Sequence, residues 1–363
     1  MTGYKLYGAE VSYYSGKARA YLRWKGVPFV DVAATQDVYK NVILPNVGWA
    51  VIPVLETPEG QIIQDSADII THVEKQHSTG EPVQPPSGLQ AFVSALLHLY
   101  GDEWLVLPAM HYRWNHNEEW TYGEFGRMSA PDQSPEEQYD IGRKNGQKFK
   151  GALPVLGISE ATAPGVEASY LAFLDDFSRH LESHSYLLGD RPSLGDFAFI
   201  GPLYAHLYRD PASWDLMLKR APKVADWVER VYAGQGGSGD LVGGDSIPDT
   251  LLPILARQMR EQIPALMKTI AHFQVWQQNE SAGSFVPRGL GEITIEVEGR
   301  NGPAIARSFP LFRLQDVLDA YAGLTGDERT RADVLLEEIG GEEITKLKLP
   351  RRLMRKDYRL ALA

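Results

Sequence analysis

Three positions in the first 66 residues carry groups suited to holding a small charged molecule. Ser12 stands before a run, Ser15 to Lys25, whose Ala18, Tyr21 and Leu22 recur at helical spacing and which stops at Gly26. A hydroxyl at a helix N-terminus can donate a hydrogen bond to an anion, and the positive end of the helix dipole favours the same charge. Asp65-Ser66 opens a second helical pattern, carried by Ile69, Ile70 and Val73. Unpaired N–H groups there can hold a carboxylate while the aspartate holds an ammonium, an arrangement that suits both ends of an amino-acid head group. Taken alone, a plain N-cap is the commoner role of such a pair. Pro53 interrupts the apolar run Val51-Ile52-Pro53-Val54-Leu55, and two readings stand. Either the Ile52-Pro53 bond is cis and turns the Ile52 backbone outward as a hydrogen-bonding edge, or Pro53 is an ordinary trans proline at a strand start.

The elements that must position these groups follow from pattern. Tyr4 to Gly8 predicts a strand, Ser15 to Lys25 a helix and Phe29 to Val32 a strand, followed by a weakly helical stretch from Thr35 to Leu44. Two short apolar runs around Glu56-Thr57-Pro58-Glu59-Gly60 predict a hairpin, and Ala67 to His77 a helix. The order β-α-β-α-β-β-α, with proline entering the third strand, resembles the thioredoxin-like fold. Where redox proteins of that fold carry Cys-x-x-Cys, this chain has Ser12-Tyr13-Tyr14-Ser15. Serine does no redox chemistry, but its hydroxyl can donate to a thiolate that a ligand brings. The chain has no cysteine, which excludes disulfides, thiolate metal sites, redox dithiols and a cysteine nucleophile.

With these motifs the chain resembles the cytosolic glutathione S-transferases, most nearly serine-type classes such as theta and zeta. The resemblance implies that Ser12 activates the thiol of glutathione, used as a co-substrate. It implies that the Ile52-Pro53 backbone pairs with the cysteinyl unit, and that Asp65 and Ser66 hold the γ-glutamyl head. Lys40 is the nearest candidate for the family's basic clamp. Tyr7 is a rival to Ser12, since some classes use a tyrosine on the first strand, but it falls too early. The electrophile site is expected between domains, walled by Tyr13 and Tyr14 and by Tyr100, Trp104 and His111 from the aromatic segment that follows; several of these aromatics could equally be core. His111 and His116 lack an acidic partner at metal spacing, so no metal is expected. The resemblance also implies a two-fold homodimer and a role in detoxification.

The expected fold class is α+β: a thioredoxin-like domain over residues 1–78, an all-helical domain over 89–233, and a C-terminal α/β extension over 246–363. The Pro/Gly-rich stretch 78–88 marks the first boundary. Ser193 and Asp196 have the spacing of a reciprocal cap, and the family carries such a box in its helical domain; both are assigned to folding. Gly234-Gln235-Gly236-Gly237-Ser238-Gly239 follows a helix and reads as a linker rather than a nucleotide loop. In the extension, Thr250 to Gln277 predicts a long helix interrupted at Pro253 and Pro264. Ile293 to Glu298 and Ala304 to Phe309 predict a hairpin with an Asn301-Gly302 turn, and two helices follow. The basic tail 346–359 reads as an arm on its own domain or on a partner subunit.

A net charge of −11 argues against nucleic acid as a partner. No run reaches about 18 apolar residues and the start lacks an apolar leader, so a cytoplasmic protein without a membrane partner is expected. Two functions compete: a glutathione-dependent transferase acting on a hydrophobic electrophile, and a non-catalytic ligand-binding or assembly protein of the same build. The three matched motifs favour the first. The long extension favours the second.

Overall fold

The computed structural model describes residues 3–363. They divide into two compact units interleaved in sequence. One comprises Met1–Val83, Ala109–Ala152 and Asp196–Ser238, the other Gln84–Pro108, Leu153–Gly195 and Gly239–Ala363. The expectation had divided the chain in sequence order. No helix among the described residues is long and apolar enough to cross a membrane.

The first unit contains the four-stranded sheet, ordered β2-β1-β3-β4 and built from β1 (Tyr4–Gly8), β2 (Phe29–Ala33), β3 (Val54–Glu56) and β4 (Ile62–Gln64). β1 runs parallel to β2 and antiparallel to β3, and β3 is antiparallel to β4. Helix α1 (Tyr13–Trp24) forms the crossover between the two parallel strands and buries Ala18, Tyr21 and Leu22 completely. It stops where the sequence predicts. Gly26 takes φ +67°, and the Val27 and Gly26 N–H groups reach the Leu22 and Arg23 carbonyls, both at 3.1 Å. That pattern closes the last turn and needs the left-handed backbone that glycine adopts without strain. The Ser66–Gln76 helix lies against α1, and the Tyr21 hydroxyl donates to Glu74 at 2.6 Å between them.

The same unit holds a helical hairpin, Glu118–Ser129 and Pro135–Lys150. Ser134 and Glu137 make a reciprocal cap at the start of the second of these helices: the Glu137 N–H donates to Ser134 Oγ at 3.4 Å and the Ser134 N–H to Glu137 Oε2 at 3.0 Å. The two helices approach so closely that a Cβ on Gly142 would lie 1.8 Å from the Tyr122 carbonyl oxygen.

The second unit is built around the Gly88–Glu103 helix, whose residues from Phe92 to Tyr100 are all buried. The Phe309–Gly323 helix of the extension packs against it, with the Phe92 and Tyr321 rings 5.4 Å apart. The extension therefore shares one core with residues 84–108 and 153–195. The Leu252–Trp276 helix is continuous, with Pro253 in its first turn, where no backbone donor is missed, and Pro264 accommodated inside. The hairpin of β5 (Gly289–Val297) and β6 (Arg300–Arg307) turns at Glu298-Gly299, not at Asn301-Gly302. Both turn residues have positive φ, 44° and 73°, as a two-residue turn of this hand requires. Gly302 serves elsewhere: a Cβ there would come within 2.5 Å of the Thr162 side chain. The basic tail is an arm on its own unit. Its strands β7 (Leu353–Lys356) and β8 (Arg359–Leu362) pair with each other, the Val286 N–H donates to the Leu360 carbonyl at 2.9 Å, and Arg352 grips Asp319 through both nitrogens at 2.7 and 2.6 Å.

Glu261, on the Leu252–Trp276 helix, is 2% exposed. It accepts hydrogen bonds from Trp104 Nε1 and Ser169 Oγ, each at 2.9 Å. Burial pushes its carboxyl up to about 7, against the downward pull of those bonds and of Arg257. The unfolded chain releases this proton near its ordinary value of 4.5, so folding binds a proton between the two. The stability this gives is complete below about pH 4.5 and is lost as pH rises through 7, on the order of 3 kcal/mol over the window.

Two predictions follow from these contacts. Gly142→Ala should cost about 3 kcal/mol or more, because the helices must separate to admit the methyl group, and a urea-denaturation midpoint indistinguishable from wild type would refute the close approach. Glu261→Gln keeps an acceptor for Trp104 but does not titrate. Relative to this variant, wild type should lose about 3 kcal/mol of unfolding free energy between about pH 4.5 and pH 8. Parallel stability curves for the two proteins would reject the burial account.

Candidate functional site

The register of the sheet brings the three chemically interesting stretches to one end of it. Val54 pairs with Tyr7 on one side and with Gln64 on the other. One step further along, Gly8, Pro53 and Asp65 therefore mark the same end, where the chain leaves β1, enters β3 and leaves β4. The N-termini of α1 and of the Ser66–Gln76 helix begin there too. Both present positive dipole ends to that side of the sheet.

Ser12 is the N-cap of α1. Its backbone is extended, at φ −87° and ψ 121°, and its Oγ accepts the Ser15 N–H at 3.4 Å. Among the described residues no group takes the Ser12 hydroxyl proton, which leaves it free to donate. The rival tyrosine is committed. Tyr7 donates to Glu56 Oε2 at 2.5 Å, and burial together with this carboxylate pushes its phenol up to about 12.

Asp65 is the N-cap of the second helix and accepts the Ala67 N–H at 2.9 Å. Its φ is +92°, a left-handed conformation that costs a side-chain-bearing residue about 1–3 kcal/mol and is found most often where a site demands it. Ser66 is buried at the first helical position, and among the described residues no group accepts its N–H. The Ile52-Pro53 peptide is cis, which selects the first of the two readings for that bond. Among the described residues the Ile52 N–H and carbonyl take no hydrogen bond, so this backbone edge is available to a ligand. Lys40 is exposed on the π-helical turn Tyr39–Ile43, within a run of short helical turns between β2 and β3.

The residues expected to wall an electrophile site do not form one surface within either unit. Tyr13 is buried in the first unit, edge-on to His206 with ring centres 5.7 Å apart, and packs where a Cβ on Gly201 would come within 2.9 Å of its ring. Tyr14 is half-buried beside it, 4.7 Å away. His111 is buried in the same unit, with its Nδ1 2.8 Å from the Asn115 amide nitrogen and its Nε2 3.3 Å from His116 Nε2. Tyr100 is 1% and Trp104 7% exposed, both in the second unit. The helical spacing that suggested a cleft-facing pair for Tyr100 and Trp104 is here core spacing, and the Trp104 indole is engaged by Glu261 of the extension.

Sequence reasoning missed Glu10. Its carboxylate, two residues before Ser12, accepts the Tyr204 and Tyr232 hydroxyls, each at 2.9 Å, and Arg209 Nη1 at 3.1 Å. Burial raises its pKa, but the nearby Arg19 and these hydrogen bonds more than offset that, and the carboxyl is held below its ordinary value. No sequence signal marks it, since its partners lie about 200 residues away.

Comparison with known families matches residues 6–84 to the glutathione S-transferase N-terminal domain and residues 160–230 to the glutathione S-transferase C-terminal domain. Among solved structures the chain is similar to a glutathione S-transferase from Rhodospirillum rubrum F11, at 17% identity over 68% of this chain and 96% of that one, with a TM-score of 0.40. It is similar to a glutathione S-transferase of Ceriporiopsis subvermispora in complex with glutathione, at 16% identity, 68% and 99% coverage and a TM-score of 0.45. A beta-etherase from Sphingobium sp. strain SYK-6 is similar at 17% identity, 64% and 95% coverage and a TM-score of 0.46. A comparison with curated proteins gives no match. Both domains of one family are thus matched, in order along the chain: residues 6–84 and 160–230 are those of the glutathione S-transferase family.

Proposed function

We propose that the chain binds glutathione at the open end of its sheet, lowers the pKa of the thiol through Ser12, and presents the thiolate to a hydrophobic electrophile. The observation that carries this reading is the state of Ser12: a helix N-cap whose oxygen already accepts a backbone N–H and whose proton no group among the described residues takes. A free thiol ionises above neutrality, so the protein's task is to stabilise the sulfur anion. The Ser12 O–H donates to the sulfur, the α1 dipole adds favourable potential, and the released proton passes to solvent. The thiolate then forms a carbon–sulfur bond to the electrophile, and the displaced electron pair leaves with a leaving group or takes up a proton.

The rest of the ligand meets complementary groups. The Ile52 N–H and carbonyl suit the backbone of the cysteinyl unit as an added strand edge. The negative charge of the Asp65 carboxylate, held at the helix N-terminus by the Ala67 N–H, suits the γ-glutamyl ammonium, and the Ser66 N–H suits its carboxylate. Lys40 is the candidate basic group for the remaining carboxylate.

A second reading, glutathione binding without catalysis, is favoured by one observation: Tyr100 and Trp104 are consumed by packing within the second unit. One titration separates the two. If wild type binds glutathione, measured by calorimetry, and leaves its thiol pKa at the free value, measured by thiolate ultraviolet absorbance, the transferase reading fails. The Ser12→Ala variant should bind glutathione within about threefold of wild type while the bound thiol's pKa rises by about 1–2 units, the worth of a hydrogen bond to a charged group. Asp65→Asn makes the opposite split. Asparagine tolerates positive φ and still caps the helix, so the fold should hold. Loss of the charged partner should weaken glutathione binding about tenfold or more and leave the thiol pKa where it was.

A further inference from the structure

We propose that Arg113 is a positioning residue for Ser12, fixing the peptide from which the hydroxyl is presented; this inference rests on the thiol-activating role proposed for Ser12. A guanidinium has five N–H groups, and all five are used here. Nε donates to Asp210 Oδ2 at 2.8 Å; Nη2 donates to Asp210 Oδ1 at 2.8 Å and to the Ala205 carbonyl at 2.5 Å. Nη1 donates to the Val11 carbonyl at 2.7 Å and to His206 Nε2 at 2.9 Å. Arg113 is 2% exposed and Asp210 fully buried, so the fork is held without competition from water. Since a guanidinium only donates, His206 must accept at Nε2 and carry its proton on Nδ1. Burial and the adjacent Arg113 keep that ring neutral.

Val11 is the residue before Ser12. Its carbonyl shares a rigid peptide plane with the nitrogen and Cα of Ser12, so holding the one fixes the other. The Ser12 N–H is tied back to the Ala9 carbonyl at 3.1 Å, and Glu10 is held by Tyr204, Tyr232 and Arg209. Ser12 thus projects from a short span anchored on both its last two residues. The groups offered to the rest of glutathione, Ile52, Asp65 and Ser66, belong to other elements that Arg113 does not touch. Displacing the Val11 peptide should therefore spoil the aim of the hydroxyl, to which such a bond is sensitive, and spare the affinity.

Two variants test this. Arg113→Lys keeps a charge opposite Asp210 but offers three donors from one point instead of a planar fork. Arg113→Met combined with Asp210→Leu removes both charges, so no unpaired carboxylate is left buried; should this pair not fold, the lysine variant carries the test. For each, amide hydrogen exchange across residues 8–15 is followed without ligand, then glutathione affinity and bound-thiol pKa are measured. The expected result is exchange at the Ser12 amide raised about tenfold, affinity within about threefold of wild type, and a thiol pKa raised by about one unit, that is, tenfold less thiolate below the pKa. Unchanged exchange at Ser12, or an unchanged thiol pKa where wild type lowers it, overturns the proposal. So does a loss of affinity equal to the loss of thiolate together with raised exchange throughout the chain, the result of a merely structural role. Failure of the underlying reading is seen separately, in a wild-type protein that leaves the thiol at its free pKa. In that case the unaltered protein has refuted the role of Ser12, and the positioning role falls with it whatever the variants do.

Discussion

Everything proposed for this protein depends on a strand three residues long. β3 is hydrogen-bonded on both sides, to β1 and to β4, and it is this double pairing that brings Ser12, Ile52 and Asp65 to one end of the sheet. A strand so short is held by its neighbours rather than by its own propensity. Val54 and Leu55 are completely buried, so a slip of one residue would exchange their faces and expel one of them from its place. The hydrophobic register thus fixes the polar geometry at the strand ends.

Two helices begin at that end, and their caps differ in kind. At α1 the cap is relaxed, an extended serine whose hydroxyl proton no group among the described residues takes. At the Ser66–Gln76 helix the cap is strained, an aspartate at φ +92°. The first geometry suits a group that must respond to charge on a ligand, the second one that must already point where an ammonium will arrive. Preorganisation of this sort limits the reorganisation required when the ligand binds.

The positions of these groups were legible in the sequence because backbone specialities leave a residue signature. A proline entering a strand, a glycine closing a helix and a polar pair opening one each admit few residue types. The aromatic segment was not legible in the same way. Tyr100 and Trp104 show helical spacing whether they face a cleft or a core, and only the packing of a distant helix decides. The hairpin turn was misplaced for a related reason. Glu298-Gly299 and Asn301-Gly302 are both plausible turns, and Gly302 turned out to be required for close approach to Thr162. Arg113 left no signal at all. Its acceptors lie about 100 residues away on either side, so its role exists only in three dimensions.

The interleaving of the two units has an evolutionary consequence. The extension completes a core with residues 84–108 and 153–195, and its Glu261 satisfies the Trp104 indole and the Ser169 hydroxyl. Such a segment cannot be exchanged between relatives as a cassette. Recombination at the linker near residue 240 would leave a buried indole and a hydroxyl without their acceptor, or deliver a carboxylate into a core with no donors for it. Residues 239–363 are therefore bound to 84–108 and 153–195, and a lineage that gains or loses this segment must alter those stretches together.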